Sequence, residues 1–190
     1  MLVDERLAAY GGRCRFIQYM PTKPAKNGIK LWMWCDADTK YVYNASIRCG
    51  RENANEATCK DLGGKVVCQL LEPLHCEGRN ITTDNYFTSL GLARDLLMVK
   101  KATLVDTIRT NRVELPKDFA APAGRELYSS LVGFNEIGDS SLVSYKCKKN
   151  KVVVVLSTMH LSHITFGKEP KKTAGSHQLL QHDQRTVQTR

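Results

Sequence analysis

The sequence has no apolar run of the roughly 18 residues that a helix needs to cross a bilayer, which excludes a helical membrane protein. The first residues, MLVDER, lack the basic and then apolar segments of a secretory signal peptide, so we expect no secretion. The seven cysteines contain no CxxC pair, which disfavours a zinc site. Their odd number favours reduced thiols in an intracellular compartment.

Acidic residues are scarce at the two ends of the chain. Residues 1–50 carry eight Lys/Arg against four Asp/Glu, and residues 151–190 carry six against two. The formal net charge of the chain is +9. This surplus favours a polyanion such as nucleic acid as partner, because each neutralised phosphate releases counterions. A basic surface that is merely solvated is the alternative.

Hydrophobic patterning predicts helices interleaved with strands, followed by a cluster of strands. Two amphipathic helices are predicted, one from about Val66 that stops near Pro73 and one from Thr88 or Ser89 to about Met98. The strands are predicted at 29–35 and 41–47 (a hairpin), 79–83, 102–108, 127–134, 142–147 and 152–156. The last of these is apolar enough to be central in its sheet.

Three other segments are weaker in pattern. Residues 1–3 are too short to stand as a strand unless they pair with others. Residues 11–24 predict an extended, basic loop, and residues 116–124 predict a linker, because both contain several prolines or glycines.

The segment 160–190 differs from the rest of the chain. Only seven of its 31 residues are apolar, so it cannot bury enough surface to offset the entropy of ordering, and we expect it to be disordered. Four of the five histidines lie there. Their irregular spacing disfavours a metal site.

Two carboxylates are candidates for chemistry. Asp4 ends the first apolar segment, and Asp84 follows a β-prone segment 80 residues later. If their strands were neighbours, the two side chains could share divalent cations such as Mg²⁺, as in two-metal phosphoryl transfer. The alternative is that both are aspartates that cap a helix or begin a turn.

Several motifs, in order along residues 2–160, resemble the catalytic domain of piggyBac-type transposases. They are VDERLAAYGGRCRFIQYMPTKPAKNGIKLW near the start, EPLHCEGRNITTDNYFTSL, TIRTNRVELP, and the later LVSYK and VVVVLSTMH. The first motif contains an Asp-Glu, a Gly-Arg and a basic Lys-Pro-x-Lys stretch, and the second contains the Asp-Asn-aromatic-Phe-Thr-Ser hallmark of the family.

The resemblance implies an α/β fold. Residues 1–115 would form a partial RNase H-like catalytic core, residues 116–159 an inserted β-rich subdomain, and residues 160–190 a disordered tail unrelated to the family pattern. It also implies transposition of DNA by metal-bound aspartates. Asp4 matches the first catalytic aspartate and Asp84 the second, with Mg²⁺ or Mn²⁺ as the cofactor.

The implied partner is DNA, at transposon ends, with no membrane partner. Arg109 and Arg112 match basic positions of the family that handle transposon DNA. Lys23 and Lys26, in the Lys-Pro-x-Lys loop, are candidates for phosphate contact on the ground of charge. The resemblance further implies a nuclear location and possible homodimers in full-length relatives. Trp32 and Trp34 are expected to be core residues.

The chain departs from the family at its third aspartate, which lies in a Gly-Gly-Val-Asp-type motif that this sequence lacks. Asp183 is the only aspartate after residue 160, and its surroundings do not match. Because one of three carboxylates is missing, we expect the chain to be inactive alone. The alternative is a non-catalytic, transposon-derived remnant that still binds DNA.

Overall fold

The computed structural model of the chain describes residues 1–49, 61–72 and 76–161. The chain divides into two compact units, Met1–Thr103 and Leu104–Arg190. Both units contain helix and strand, whereas the sequence predicts helices only in the first of them. No helix in these described ranges is both long and apolar enough to span a membrane.

Outside the gaps at 50–60 and 73–75, the first unit contains an antiparallel sheet, two helices and a short strand. Its elements, in chain order, are β1 (Leu2–Ala9), β2 (Ile17–Tyr19), β3 (Asn27–Cys35), β4 (Val42–Ile47), α1 (Leu62–Leu70), β5 (Asn80–Ile81) and α2 (Leu90–Met98). The predicted hairpin is confirmed as β3 and β4, and both predicted helices are present. Residues 73–75, at the end of the first predicted helix, lie outside the described residues.

Strand β3 is the centre of the first sheet. It pairs with the whole of β1, from Leu2↔Cys35 to Ala9↔Gly28. On its other edge it pairs first with β2 and then with β4. The predicted loop 11–24 therefore contains a short strand. The first strand also continues through Asp4 to Ala9, because β3 supplies a partner for each of its residues.

One face of this sheet is the core of the unit. Val3, Trp32 and Trp34 are buried there, so the expectation that both tryptophans are core residues is confirmed. The side-chain amide of Asn44 on β4 donates to the carbonyl of Leu70 at the end of α1, 2.9 Å away. This bond ties the sheet to the first helix.

In the part that the structure describes, up to residue 161, the second unit is a sheet with one short helix. Its elements are β6 (Thr103–Ile108, whose first residue belongs to the first unit), α3 (Lys117–Ala120), β7 (Ser130–Phe134), β8 (Ser141–Lys148) and β9 (Lys151–Ser157). Strand β9 lies between β6 and β8, as its apolar sequence predicts. The segment 116–124 is not only a linker, because α3 begins directly after Pro116 and buries Phe119.

The predicted boundary after residue 115 falls inside the second unit. Strand β6 belongs with that unit because it pairs antiparallel with β9, from Val105↔Ser157 to Ile108↔Val154. Disorder is predicted for residues 160–190, of which only His160 and Leu161 are within the described residues.

Candidate active site

A single parallel bridge joins the segments that carry the two candidate aspartates. Leu2 of β1 pairs with Thr82, just after β5. The amide of Val3 donates to the carbonyl of Thr82, and the amide of Thr82 donates to the carbonyl of Met1, both at 2.8 Å. Asp4 and Asp84 each lie two residues beyond this bridge in the same chain direction. The two strands therefore deliver both aspartates to one end of the bridge.

The alternation of burial places both aspartates on the less buried side of their segments. Val3 is fully buried and Thr83 is 4% exposed, whereas Asp4 and Asp84, which follow them, are exposed. Successive side chains of an extended segment point to opposite faces, so this pattern is the one that paired strands produce. Both carboxylates are thus open to solvent at neighbouring positions.

The carboxylates have few partners in the protein. One oxygen of Asp4 accepts the amide of Glu5 at 2.7 Å. Within residues 1–49, 61–72 and 76–161, the Asp84 carboxylate takes no side-chain hydrogen bond or ion pair. Oxygen atoms that are not already bonded are the atoms that a hard divalent cation needs.

The Cys35 thiol has a pKa that depends on the charge of Asp4. It lies opposite Leu2 in the β1–β3 register, one pleat from Asp4 on the same face. Burial raises the pKa of the Cys35 thiol, and the negative charge of Asp4 raises this pKa further. A cation bound at Asp4 would oppose the second effect.

The turn after Asp84 is held by its own backbone and by a threonine pair. The carbonyl of Asp84 accepts the amide of Phe87 at 2.9 Å and the hydroxyl of Thr88 at 3.1 Å. Thr88 is also 3.0 Å from the buried hydroxyl of Thr83. These bonds fix the backbone conformation at Asp84 and leave its carboxylate unused.

Gly63 of α1 packs against this same turn. A Cβ atom at Gly63 would lie 2.9 Å from the Cα of Phe87 and 3.0 Å from the carbonyl oxygen of Tyr86. Both neighbours are backbone atoms, which cannot move aside as a flexible side chain could. The absence of a side chain at Gly63 therefore lets α1 approach the Asp84 turn.

A charged cluster that the sequence reasoning missed lies on the face of β1 and β3 opposite to Asp4. Glu5 forms ion pairs with Lys30 and, at 3.7 Å, with Lys23. The Lys30 ammonium also lies 5.8 Å from the centre of the Tyr86 ring, in the turn after Asp84. The alternation of side chains along β1 could have shown that Glu5 and Asp4 lie on opposite faces of the sheet. No local sequence pattern pointed to Lys30.

The predicted DNA-binding residues lie in different parts of the chain. Lys23 and Lys26 belong to the connection between β2 and β3, which is a series of hydrogen-bonded turns in which Lys26 has a φ of 50°. Lys23 is held near Glu5 and Lys26 is exposed. Arg109, which is exposed, and Arg112, which is half-buried, follow β6 in the second unit, joined by a bond from the Arg112 amide to the Arg109 carbonyl.

The two carboxylates that follow the Leu2–Thr82 bridge are of the chemical type that binds a divalent cation. Two solvent-exposed carboxylates offer hard oxygen ligands of the type that Mg²⁺ and Mn²⁺ prefer. Within the described ranges, no group of three or more His, Cys, Asp or Glu side chains is placed to hold a metal ion. Asp4 and Asp84 are candidate ligands because of their positions after the Leu2–Thr82 bridge.

Comparison with known proteins finds two similarities. The family model described as Transposase IS4 matches residues 1–188. The fold is similar to that of a solved chain in the cryo-EM structure of a piggyBac transposase synaptic complex with hairpin DNA, with a TM-score of 0.73 and 40% sequence identity. The match covers 83% of this chain and 32% of that chain, so the sequence spans about a third of the transposase it resembles.

Proposed function

Because the chain belongs to the Transposase IS4 family, we propose that Asp4 and Asp84 act in metal-assisted phosphoryl transfer on DNA. The observation that carries the proposal is the parallel bridge between Leu2 and Thr82, because each aspartate follows its bridge residue by two positions in the same chain direction. The solved relative is a transposase in complex with hairpin DNA, which supports DNA as the substrate.

In this proposal the two aspartates hold Mg²⁺ or Mn²⁺ through their exposed oxygens. When bound, such a cation would lower the pKa of an attacking water and stabilise the leaving oxygen of a phosphodiester. The backbone bonds to the Asp84 carbonyl fix the approach of its side chain. Glu5 holds Lys30 beside the Tyr86 ring, where its positive charge faces the turn that carries Asp84.

Basic side chains would position the phosphate backbone of the DNA. We propose contacts from Lys23 and Lys26 in the first unit and from Arg109 and Arg112 in the second. Lys23 shares Glu5 with Lys30, so two cations lie against one carboxylate and the group keeps a positive charge. Such contacts orient the duplex without reading its sequence.

The finer architecture is also a proposal. We assign residues 1–115 to a partial RNase H-like core and residues 116–159 to a β-rich insertion, supported by the similarity to the transposase fold. The nucleus is the proposed location, since the proposed substrate is genomic DNA. Imaging of the tagged chain in cells tests this, and exclusion from the nucleus would contradict it.

We propose that the isolated chain is a poor catalyst. A Gly-Gly-Val-Asp stretch occurs nowhere in the printed sequence, and this supports the proposal that the third carboxylate expected from the family is lacking. With two carboxylates rather than three, cation charge is less completely neutralised and binding is weaker. A non-catalytic DNA-binding remnant is the second candidate, and the net charge of +9 favours it.

Binding of Mn²⁺, followed by electron paramagnetic resonance, tests the metal site directly. We expect weak binding that is lost in Asp4→Asn and in Asp84→Asn. Asp38→Asn, which removes an exposed carboxylate from the β3–β4 turn, is the matched control and should leave binding unchanged. Equal Mn²⁺ affinity in all four proteins would overturn the proposal.

A DNA nicking assay separates the two candidate functions. Nicking that requires Mg²⁺ or Mn²⁺ and disappears in Asp84→Ala would establish the enzyme and reject the remnant. Affinity for DNA that is salt-sensitive but independent of metal, with no nicking, would favour the remnant.

A further inference from the structure

The hairpin that joins β8 and β9 ends in a cluster of lysines. Lys148 and Lys151 are directly opposite each other in the antiparallel register, and Lys149 lies in the two-residue turn between them. All three are exposed. We call these three residues the lysine tip.

The lysine tip is an unfavourable arrangement in the free protein. Like charges placed directly opposite each other on paired strands repel and destabilise the pairing. Within the described residues, none of the three lysines has an ion-pair partner. The repulsion would be relieved by a partner that brings negative charge to this end of the hairpin.

Two further cations lie beneath the tip. The buried Lys146 donates its ammonium to the carbonyl of Arg125. Arg125 in turn donates to the Ser144 hydroxyl at 2.7 Å, to the Ser144 carbonyl at 2.8 Å and to the Ser129 carbonyl at 3.0 Å. These acceptors are neutral, so the charges of Lys146 and Arg125 add to the positive potential of the tip.

A pair of tyrosines flanks the same end of the sheet. The rings of Tyr128 and Tyr145 are stacked, with centres 6.5 Å apart and an interplanar angle of 27°. Tyr128 is 58% exposed and has a φ of 67°, a left-handed conformation that costs energy for a residue with a side chain. Its amide donates to the carbonyl of Lys146, which places this strained residue next to the base of the tip.

We propose that the lysine tip and Tyr128 form a DNA-binding surface in which the lysines contact phosphates and the exposed ring stacks on an unpaired base. A positive edge beside an exposed aromatic ring is the combination that binds single-stranded nucleic acid. The inference rests on the proposed function for the choice of DNA as the polyanion. It concerns a surface of the second unit and requires neither aspartate.

Fluorescence anisotropy with a labelled duplex and a labelled single-stranded oligonucleotide, in EDTA, tests the tip. We expect Lys148→Gln/Lys149→Gln/Lys151→Gln to weaken binding of both and to reduce the salt slope by about 2 to 3, since each phosphate contact contributes about 0.7 to 0.9. The control, Lys40→Gln/Lys65→Gln/Lys101→Gln, removes three exposed lysines of the first unit. Equal losses in the two triple variants would overturn the proposal.

The variant Tyr128→Gly separates stacking from folding. Glycine adopts the left-handed conformation readily, so the melting temperature should not fall through backbone strain. We expect about a 10-fold loss of affinity for the single strand and little change for the duplex. Unchanged affinity for the single strand would overturn the role of the ring.

Two further measurements distinguish the possible outcomes. Wild-type binding of both oligonucleotides should persist in EDTA, where no divalent cation occupies the Asp4–Asp84 pair, so failure of the metal site leaves this proposal standing. Vesicles containing phosphatidylserine test a membrane surface instead. Loss of vesicle binding in the tip variant, with DNA binding intact, would reject the DNA surface.

Discussion

Asp61 and Ser89 connect the first turns of the two long helices. One oxygen of the Asp61 carboxylate accepts the amide of Gly64 and caps α1, while the other accepts the Ser89 hydroxyl at 2.7 Å. The oxygen of Ser89 accepts the amide of Leu92 at 3.0 Å and caps α2. A single chain of hydrogen bonds therefore starts both helices, and Asp84 lies in the turn that leads into Ser89.

Substitution of Ser89 by alanine should destabilise the protein by more than the same substitution at an exposed serine would. The change removes the cap of α2 and leaves the half-buried Asp61 carboxylate with one fewer hydrogen-bond donor, at a cost of about 1 to 2 kcal/mol. Urea unfolding measures the loss. Ser89→Thr should restore most of the lost free energy of unfolding. The control, Thr39→Ala in the exposed β3–β4 turn, should reduce this free energy by less. Equal losses in the two alanine variants would contradict the shared cap.

Two helical glycines should respond to alanine with opposite signs. Gly63→Ala should destabilise by about 1 to 3 kcal/mol, because its Cβ would meet the backbone of Tyr86 and Phe87 within about 3.0 Å. Gly91→Ala meets only ordinary contacts at 3.8 and 3.9 Å, so the better helix propensity of alanine should add up to about 1 kcal/mol. Thermal unfolding of both variants checks the prediction, and a stabilised Gly63→Ala would refute the close packing.

The reactivity of Cys35 should depend on Asp4. Since the charge of Asp4 raises the pKa of this thiol, Asp4→Asn should lower the pKa and speed alkylation at a given pH below it. Mn²⁺ should act in the same direction on the wild type if the cation binds at Asp4. Peptide mass spectrometry after a timed pulse of iodoacetamide measures Cys35 separately from the other thiols. An unchanged alkylation rate in Asp4→Asn would show that the two groups do not interact, and a slower rate would contradict the direction of the effect.

Arg125→Lys should loosen the second sheet. A lysine cannot reproduce the three bonds of the guanidinium to Ser129 and Ser144, and the loss should be about 1 to 3 kcal/mol. Hydrogen exchange should become faster at the paired amides of β7 and β8. The exposed Arg6→Lys on β1 is the control, and equal exchange in both variants would contradict the structural role of Arg125.

The sequence predicted those elements whose pattern is local. The apolar run at 152–156 predicted a central strand, and β9 is one because it pairs with β6 on one edge and with β8 on the other. The cap at Ser89 was one of two candidates. Here the deciding fact is the bond to Asp61, a residue 28 positions away, which no local pattern contains.

The features that the sequence did not predict depend on distant pairing. Strand β1 reaches Ala9 because β3 supplies partners, and the three-residue β2 exists only against the same strand. The aspartates were proposed as a pair, but the bridge at Leu2 and Thr82 was not foreseen, since it depends on a partner 80 residues away. Lys30 was missed for a similar reason, because its neighbour Tyr86 is distant in sequence.

The position of β9 has a consequence for synthesis on the ribosome. Strand β6 meets β9 between Val105 and Ser157, and the amide of Thr158 closes the pairing on the carbonyl of Leu104 at 2.9 Å. That side of β6 consequently stays open until some fifty further residues have left the exit tunnel. A nascent chain waiting in this state presents an unpaired edge, and chaperone capture at this stage would favour the yield of correctly assembled protein.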